Sequence, residues 1–137
     1  MASLFHHAFL VRDLAAARRF YGDLLGCREG RSAPTWVDFD FFGHQLALHL
    51  GEPALSATRG EVDGIEVPMP HFGAILDWEA FDTLAKRLTD ASAAFVIAPR
   101  LRYEGQPAEQ RTMFLLDPSG NALEFKAFRH QAAIFER

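Results

Sequence analysis

The sequence predicts an α+β fold built from two βαβββ modules. Three observations carry that expectation. Two short apolar strands, opened by His6 and His71, each run into a capped amphipathic helix. Further strands follow each helix, and a glycine, Gly43 or Gly120, marks the turn into the last strand of its half. A stretch rich in glycine, proline and charge separates the halves.

The elements follow in order. Residues 5–11 alternate and read as a strand. Asp13 suits the N-cap of a helix over 14–25, which gathers Leu14, Ala17, Phe20, Tyr21, Leu24 and Leu25 on one face, and Gly26 ends it. Strands over 35–42 and 44–50 meet in a tight hairpin at Gly43. The second half repeats the pattern with a strand over 70–76, a helix over 78–91 capped by Asp77, and strands over 94–98, 112–116 and 122–128. The chain thus reads as one domain over 1–137: module one about 5–51, a linker about 52–69, module two about 70–128, and a tail over 129–137 without an assigned element.

A chain of 137 residues suits one compact domain with a real core. An apolar fraction of 49% and a charged fraction of 23% are ordinary for a globular protein. The net charge is −4 and no long basic run occurs, which argues against nucleic acid or an anionic membrane surface as partner. The single cysteine, Cys27, cannot form an internal disulfide. No run is long enough to span a bilayer, and no basic segment leads into an apolar signal core, so a cytoplasmic location is expected. The thirteen phenylalanines imply a bulky core, with some available to line an apolar pocket.

Aligned on itself, the repeat pairs His6 with His71. Four residues beyond Gly43 and Gly120 it pairs Ala47 with Glu124. Of four donor positions, three hold metal-binding residues, and the fourth, Ala47, cannot bind metal. Two imidazoles and one carboxylate can hold a divalent ion on one face and leave the other open to substrate or dioxygen.

These residues also carry a family resemblance. His6 to Gly26, H-H-A-F-L-V-R-D-L-A-A-A-R-R-F-Y-G-D-L-L-G, resembles the opening of vicinal-oxygen-chelate proteins. F-L-L-D-P-S-G-N-A-L-E, from Phe114 to Glu124, resembles their closing motif. That superfamily includes glyoxalase I, fosfomycin-resistance transferases, bleomycin-resistance proteins and type I extradiol dioxygenases. T-W-V-D-F-D-F-F-G-H-Q, Thr35 to Gln45, with G-N-A-L-E-F-K-A-F-R, looks closer to a small subgroup described as predicted extradiol-type dioxygenases.

The resemblance implies a cupped mixed sheet with a divalent metal held by His6, His71 and Glu124. Fe(II) is favoured, with Mn(II), Zn(II) or Ni(II) as alternatives. It also implies a small-molecule substrate and a homodimer that pairs the first half of one chain with the second half of the other, with shared active sites; the rival is a closed monomer with all three ligands in one chain. Departures narrow the chemistry. Glyoxalase I has a carboxylate where Ala47 stands, which weakens the isomerase reading. The fosfomycin group has a tyrosine where Phe114 stands, and Glu104 near Arg102 would repel a dianion. Bleomycin-type binders lack the triad. The favoured expectation is an extradiol-dioxygenase-like enzyme. The alternatives are a Lewis-acid thiol transferase or isomerase, and a non-catalytic small-molecule binder.

His7 has the opposite strand parity from His6 and should face the helices, and a one-residue slip would exchange the two. His49 lies two residues beyond Ala47 on the same face, roughly 7 Å along the strand. It reads either as a general acid/base beside the metal or as a rim histidine. His44 and Gln45 are rim contacts or turn residues. Arg102 and Tyr103 orient an anionic or phenolic substrate or form a solvated strand edge, and Phe114 is a further substrate-contact candidate. Asp38 and Asp40 share one strand face, and Val37, Phe39 and Phe41 share the other; either face fits the cavity side. His130 reads as a surface tail residue.

Overall fold

The computed structural model describes residues 2–136. The chain forms two compact units. One runs up to Leu55 and takes in Asp117–Asn121; the other comprises Ser56–Leu116 and the chain from Ala122 onward.

In the first unit, β1 (His6–Val11) leads into a helix, α1 (Leu14–Ala17), which continues in the wider π geometry over Arg18–Leu24. Strands β2 (Arg28–Ala33), β3 (Trp36–Phe41) and β4 (His44–Leu50) follow. The sheet order is β1-β4-β3-β2, with β1 parallel to β4 and the other pairs antiparallel. The Asp13 carboxylate accepts the Ala16 N–H at 3.1 Å, which is why the helix starts there. Its π segment closes with the Leu25 N–H donating to the Phe20 carbonyl, five residues back. Tyr21 from this helix packs on Phe9 and Phe39, which defines the helix side of the sheet. Val37, Phe39, Leu46 and Leu48 are buried on that side, as period-two alternation requires.

The second unit opens with a hairpin, β5 (Arg59–Val62) and β6 (Ile65–Pro68). Then come β7 (Phe72–Leu76), α2 (Trp78–Asp90), β8 (Phe95–Arg102), β9 (Gln110–Leu116) and β10 (Ala122–Phe128). The sheet order is β7-β10-β9-β8, the same winding as the first sheet. The Asp77 carboxylate caps α2 through the Ala80 N–H at 2.7 Å. The register repeats between the two sheets. Ala8, two residues past His6, pairs with Ala47, and Gly73, two residues past His71, pairs with Glu124. Gly43 and Gly120 share a φ of +89°.

Three features depart from the sequence expectation. Strand β2 carries no strand signal: R-E-G-R-S-A has no apolar alternation, and it can be so polar because it is an exposed sheet edge. Strand β8 extends past Pro99 to Arg102, which its edge position allows. The stretch expected as linker, 52–69, contains the β5–β6 hairpin. Its turn residues Asp63 and Gly64 have φ of +53° and +78°, so both central positions are left-handed, as a tight hairpin turn demands. The Asp-Gly signal stands between Val62 and Ile65 and is outweighed by the surrounding polar composition. Val67, fully buried against Ile97, Phe114 and Ala122, holds the hairpin to the sheet face away from α2. The tail forms one short 3-10 turn, Gln131–Phe135.

The Asp-Pro-Ser-Gly-Asn segment is organised by the buried Asp117. Its Oδ1 accepts the Ser119 and Asn121 N–H groups at 2.8 and 2.9 Å, and its Oδ2 accepts the Tyr21 hydroxyl and the Asn121 side-chain amide at 2.8 and 3.0 Å. Asn121 also donates to the Leu10 carbonyl, and Ser119 accepts the Arg12 N–H. Burial first, then the charge and hydrogen bond of Asp117, hold the Tyr21 phenol well above its ordinary pKa, so it remains a donor. Tyr21→Phe leaves the buried carboxylate one donor short. It is expected to cost about 1.5–3 kcal/mol in urea unfolding, the usual value of a hydrogen bond to a charged group.

Candidate metal centre

The site begins with a buried carboxylate. Glu124, 6% exposed, points away from α2: its cross-strand partners on that face are Gly73 and Phe114. Its Oε2 accepts the Thr112 hydroxyl at 2.6 Å. Its Oε1 lies 3.3 Å from His71 Nε2. The other imidazole nitrogen, Nδ1, is 3.0 Å from the Pro68 carbonyl at the end of β6. A carbonyl oxygen only accepts, so Nδ1 donates to it, and Nε2 is the ring nitrogen that faces Glu124 Oε1. Either a proton or a metal ion between these two atoms satisfies both. Their separation suits neighbouring donors on one divalent ion, each about 2.0–2.2 Å from it. The back-side bond to Nδ1 and the hydroxyl on Oε2 are the outer contacts that typically fix metal-binding histidines and carboxylates.

Packing fixes the pair. The Phe114 ring meets the His71 ring edge-on, with centroids 4.8 Å apart. Gly73 is required beside Glu124, because a Cβ there would overlap the Glu124 carbonyl. An open hollow of about 250 Å³ borders the pair, lined by His71, Gly73, Ile75, Glu124 and Lys126 among others.

The first unit carries a histidine at the equivalent position of its own sheet. His6 Nδ1 lies 2.8 Å from Gln45 Oε1, and Gln45 Nε2 donates to Asp38 Oδ2 at 3.2 Å. A carboxylate only accepts, so the amide nitrogen must face Asp38 and the amide oxygen must face His6. His6 therefore also donates through Nδ1, and Nε2 is its other ring nitrogen. Ala47 sits where the second module has Glu124. His7 is on the other face, with its ring 5.1 Å from that of Phe9, so the strand register is the expected one. Burial first, then the neighbouring His6, lower the His7 pKa.

Strand register also places Asp38 and Asp40. They pair with Ala47 and Gln45 and so share the His6 face. His49 is on this face too, exposed, with Trp36 as its cross-strand neighbour. The His44 side chain serves the backbone, since its Nδ1 accepts the Phe5 N–H at 2.9 Å. Arg102 lies 3.8 Å from Asp63 and donates to the Tyr103 hydroxyl at 3.0 Å, and its Nε lacks a hydrogen-bond partner among the described residues. Phe114 is fully buried and supports His71 from beneath. Cys27 is excluded as a nucleophile, since burial above all, with Asp40, pushes its thiol up to about 12. No group of three metal-binding side chains converges among the described residues: His71 and Glu124 meet in one unit, and His6 stands in the other. Sequence reasoning missed Thr112, Lys126 and the Pro68 carbonyl. The strand pairing that joins Thr112 and Lys126 cannot be read from spacing alone, and a main-chain oxygen leaves no sequence signal.

Comparison with known proteins now decides the family. The Glyoxalase/Bleomycin resistance protein/Dioxygenase superfamily profile matches residues 3–125. The chain belongs to this superfamily. A glyoxalase/bleomycin resistance protein/dioxygenase from Alicyclobacillus acidocaldarius is 34% identical, with a TM-score of 0.80 over 97% of this chain and 96% of that one. The fosfomycin resistance protein FosX from Listeria monocytogenes is 18% identical, with a TM-score of 0.71 over 98% and 99%. The lactoylglutathione lyase from Agrobacterium tumefaciens is 18% identical, with a TM-score of 0.63 over 93% and 94%. These last two bear on fold alone. Among curated proteins none matches. Superfamily members generally use divalent metals, and the chemistry of the His71–Glu124 pair fits one. No helix among the described residues is long and apolar enough to cross a membrane.

Thr112→Val keeps both donors of the second unit but removes the bond to Glu124 Oε2. Metal affinity, measured by chelator competition, is expected to fall about 10–100-fold, the usual loss when an outer contact of a ligand is deleted.

Proposed function

We propose that this protein is a metal-dependent enzyme acting on a small substrate that chelates through two adjacent oxygens, and that the reaction is dioxygen-dependent cleavage of the extradiol type. The observation that carries the reading is the opposed pair His71 Nε2 and Glu124 Oε1, each with its other polar atom occupied. His6, His71 and Glu124 would hold the metal. Bound there, a divalent ion supplies Lewis acidity and, as Fe(II), electron transfer to dioxygen. Ala47 adds no fourth donor, which leaves room for a chelating substrate. His49, exposed on the His6 face, is the group placed to take a proton from a substrate hydroxyl.

Glu124→Gln is expected to cut metal affinity sharply, because a neutral amide replaces an anionic oxygen. The Fe(II)-loaded protein, handled anaerobically and then exposed to oxygen with a panel of catechols, is expected to take up oxygen above background. His49→Ala is expected to lower turnover more than metal content. Uptake that stays at background across the panel transfers the assignment to Lewis-acid chemistry. Unchanged metal affinity in Glu124→Gln removes Glu124 from the ligand set.

We further propose that His6 comes from one chain of a homodimer and His71 with Glu124 from the other. Support comes from equivalent apolar residues left open on the two ligand-bearing faces, Leu10 at 37% and Ile75 at 50% exposure. Each pairs with the residue two beyond the fourth donor position, His49 or Lys126. A second copy would bury both rows. Co-refolding His6→Ala chains with Glu124→Ala chains tests the exchange. One site of each heterodimer then collects both lesions and the other none, so about half of the heterodimer sites regain metal binding. Heterodimers that form and regain none place each site within a single chain.

A further inference from the structure

The second sheet carries its positive charge one row beyond Glu124. Lys126 follows Glu124 on the same face of β10. It is in register with Ile75 on one side and with Thr112, then Arg100, on the other. Its ammonium lies 4.0 Å from Glu124 Oε1, and its side chain, 36% exposed, borders the same hollow as the His71–Glu124 pair. Arg100 and Arg102 share one carboxylate, Asp63, at 3.0 and 3.8 Å. On this face three cations are set against two carboxylates.

That balance shifts further once Glu124 serves a metal. Its Oε1 is the carboxylate atom beside Lys126, and a divalent ion that takes this oxygen brings two positive charges of its own. The ammonium is then left beside an open hollow with an excess of positive charge around it. We propose that Lys126 binds an anionic substituent of the substrate, a carboxylate in the first instance. The substrate class is then a vicinal-oxygen chelator that carries a second, negatively charged group, and a simple neutral diol is a poor ligand. This inference rests on the metal-site reading given above.

The repeat gives the assignment a second footing. Lys126 holds in the second module the position of His49 in the first: His49 pairs with Leu10 and Lys126 with Ile75, each four residues past its module's histidine. Equivalent positions carry different chemistry. An imidazole can accept a proton, whereas an ammonium offers three donors and no acceptor, which suits it to hold an anion.

The test is a ligand-discrimination measurement on the full-length protein loaded with Zn(II), which does not react with dioxygen. Calorimetry gives the dissociation constants of 3,4-dihydroxybenzoate and of catechol for wild type, Lys126→Gln and Lys126→Arg. The readout is the ratio of the two constants in each protein, so that intrinsic differences between the ligands and general losses of site integrity cancel. The preference of wild type for the carboxylated ligand is expected to fall about tenfold in Lys126→Gln. Lys126→Arg keeps the charge and is expected to retain the preference within about threefold. A ratio unchanged in Lys126→Gln overturns the assignment, as does wild-type protein that binds metal but neither ligand. A Lys126 that merely neutralises Glu124 leaves the ratio intact while metal content falls. Zinc content of wild type and Glu124→Gln, measured alongside, separates this failure from that of the metal reading: loss of zinc in Glu124→Gln sustains the metal centre whatever the ligand ratios do.

Discussion

The candidate site depends on an imidazole nitrogen directed at a buried carboxylate. Pro68 takes the proton-bearing side of His71, Thr112 takes the far oxygen of Glu124, and the remaining nitrogen and oxygen confront each other at 3.3 Å. The two atoms are spaced as adjacent ligands of one cation would be. Much of the second unit serves it. Gly73 clears the backbone, Phe114 supports the imidazole, and Val67 ties down the hairpin that ends in the Pro68 carbonyl.

The same sheet winding occurs twice, and its two copies have diverged in a consistent way. The first offers a histidine, an alanine and a histidine where the second offers a histidine, a glutamate and a lysine. Burial follows the chemistry. The carboxylate of the second copy is buried, while His6 and His49 of the first remain exposed. At the equivalent positions the duplicated scaffold thus offers a glutamate and a lysine in one copy, an alanine and a histidine in the other, and a leading histidine in both.

What the sequence disclosed and what it concealed have physical causes. The caps Asp13 and Asp77, the helix stop at Gly26 and the long alternating strands were legible because each rests on a local rule. The register between His6 and His7 was legible for the same reason, since strand parity places Phe9 toward Tyr21. Strand β2 was hidden, because an exposed edge strand is held by its partner's main chain and needs no apolar signature. The hairpin was hidden because one buried valine anchors a segment that is otherwise polar. In the site, the donor residues could be named from motif and repeat. The groups that orient them could not: Thr112 reaches Glu124 across two strands, and Pro68 acts through its carbonyl.

The two histidines are secured by different kinds of partner, and this makes them unequal over evolutionary time. His71 leans on a main-chain oxygen, which every residue type possesses, so side-chain substitution at position 68 leaves that acceptor in the chain. His6 leans on the Gln45 amide, itself oriented by Asp38, so either of two ordinary substitutions can release its ring. The setting of the His71 ring is therefore robust to drift. The His6 ring can be re-oriented by changes that touch neither histidine nor the core.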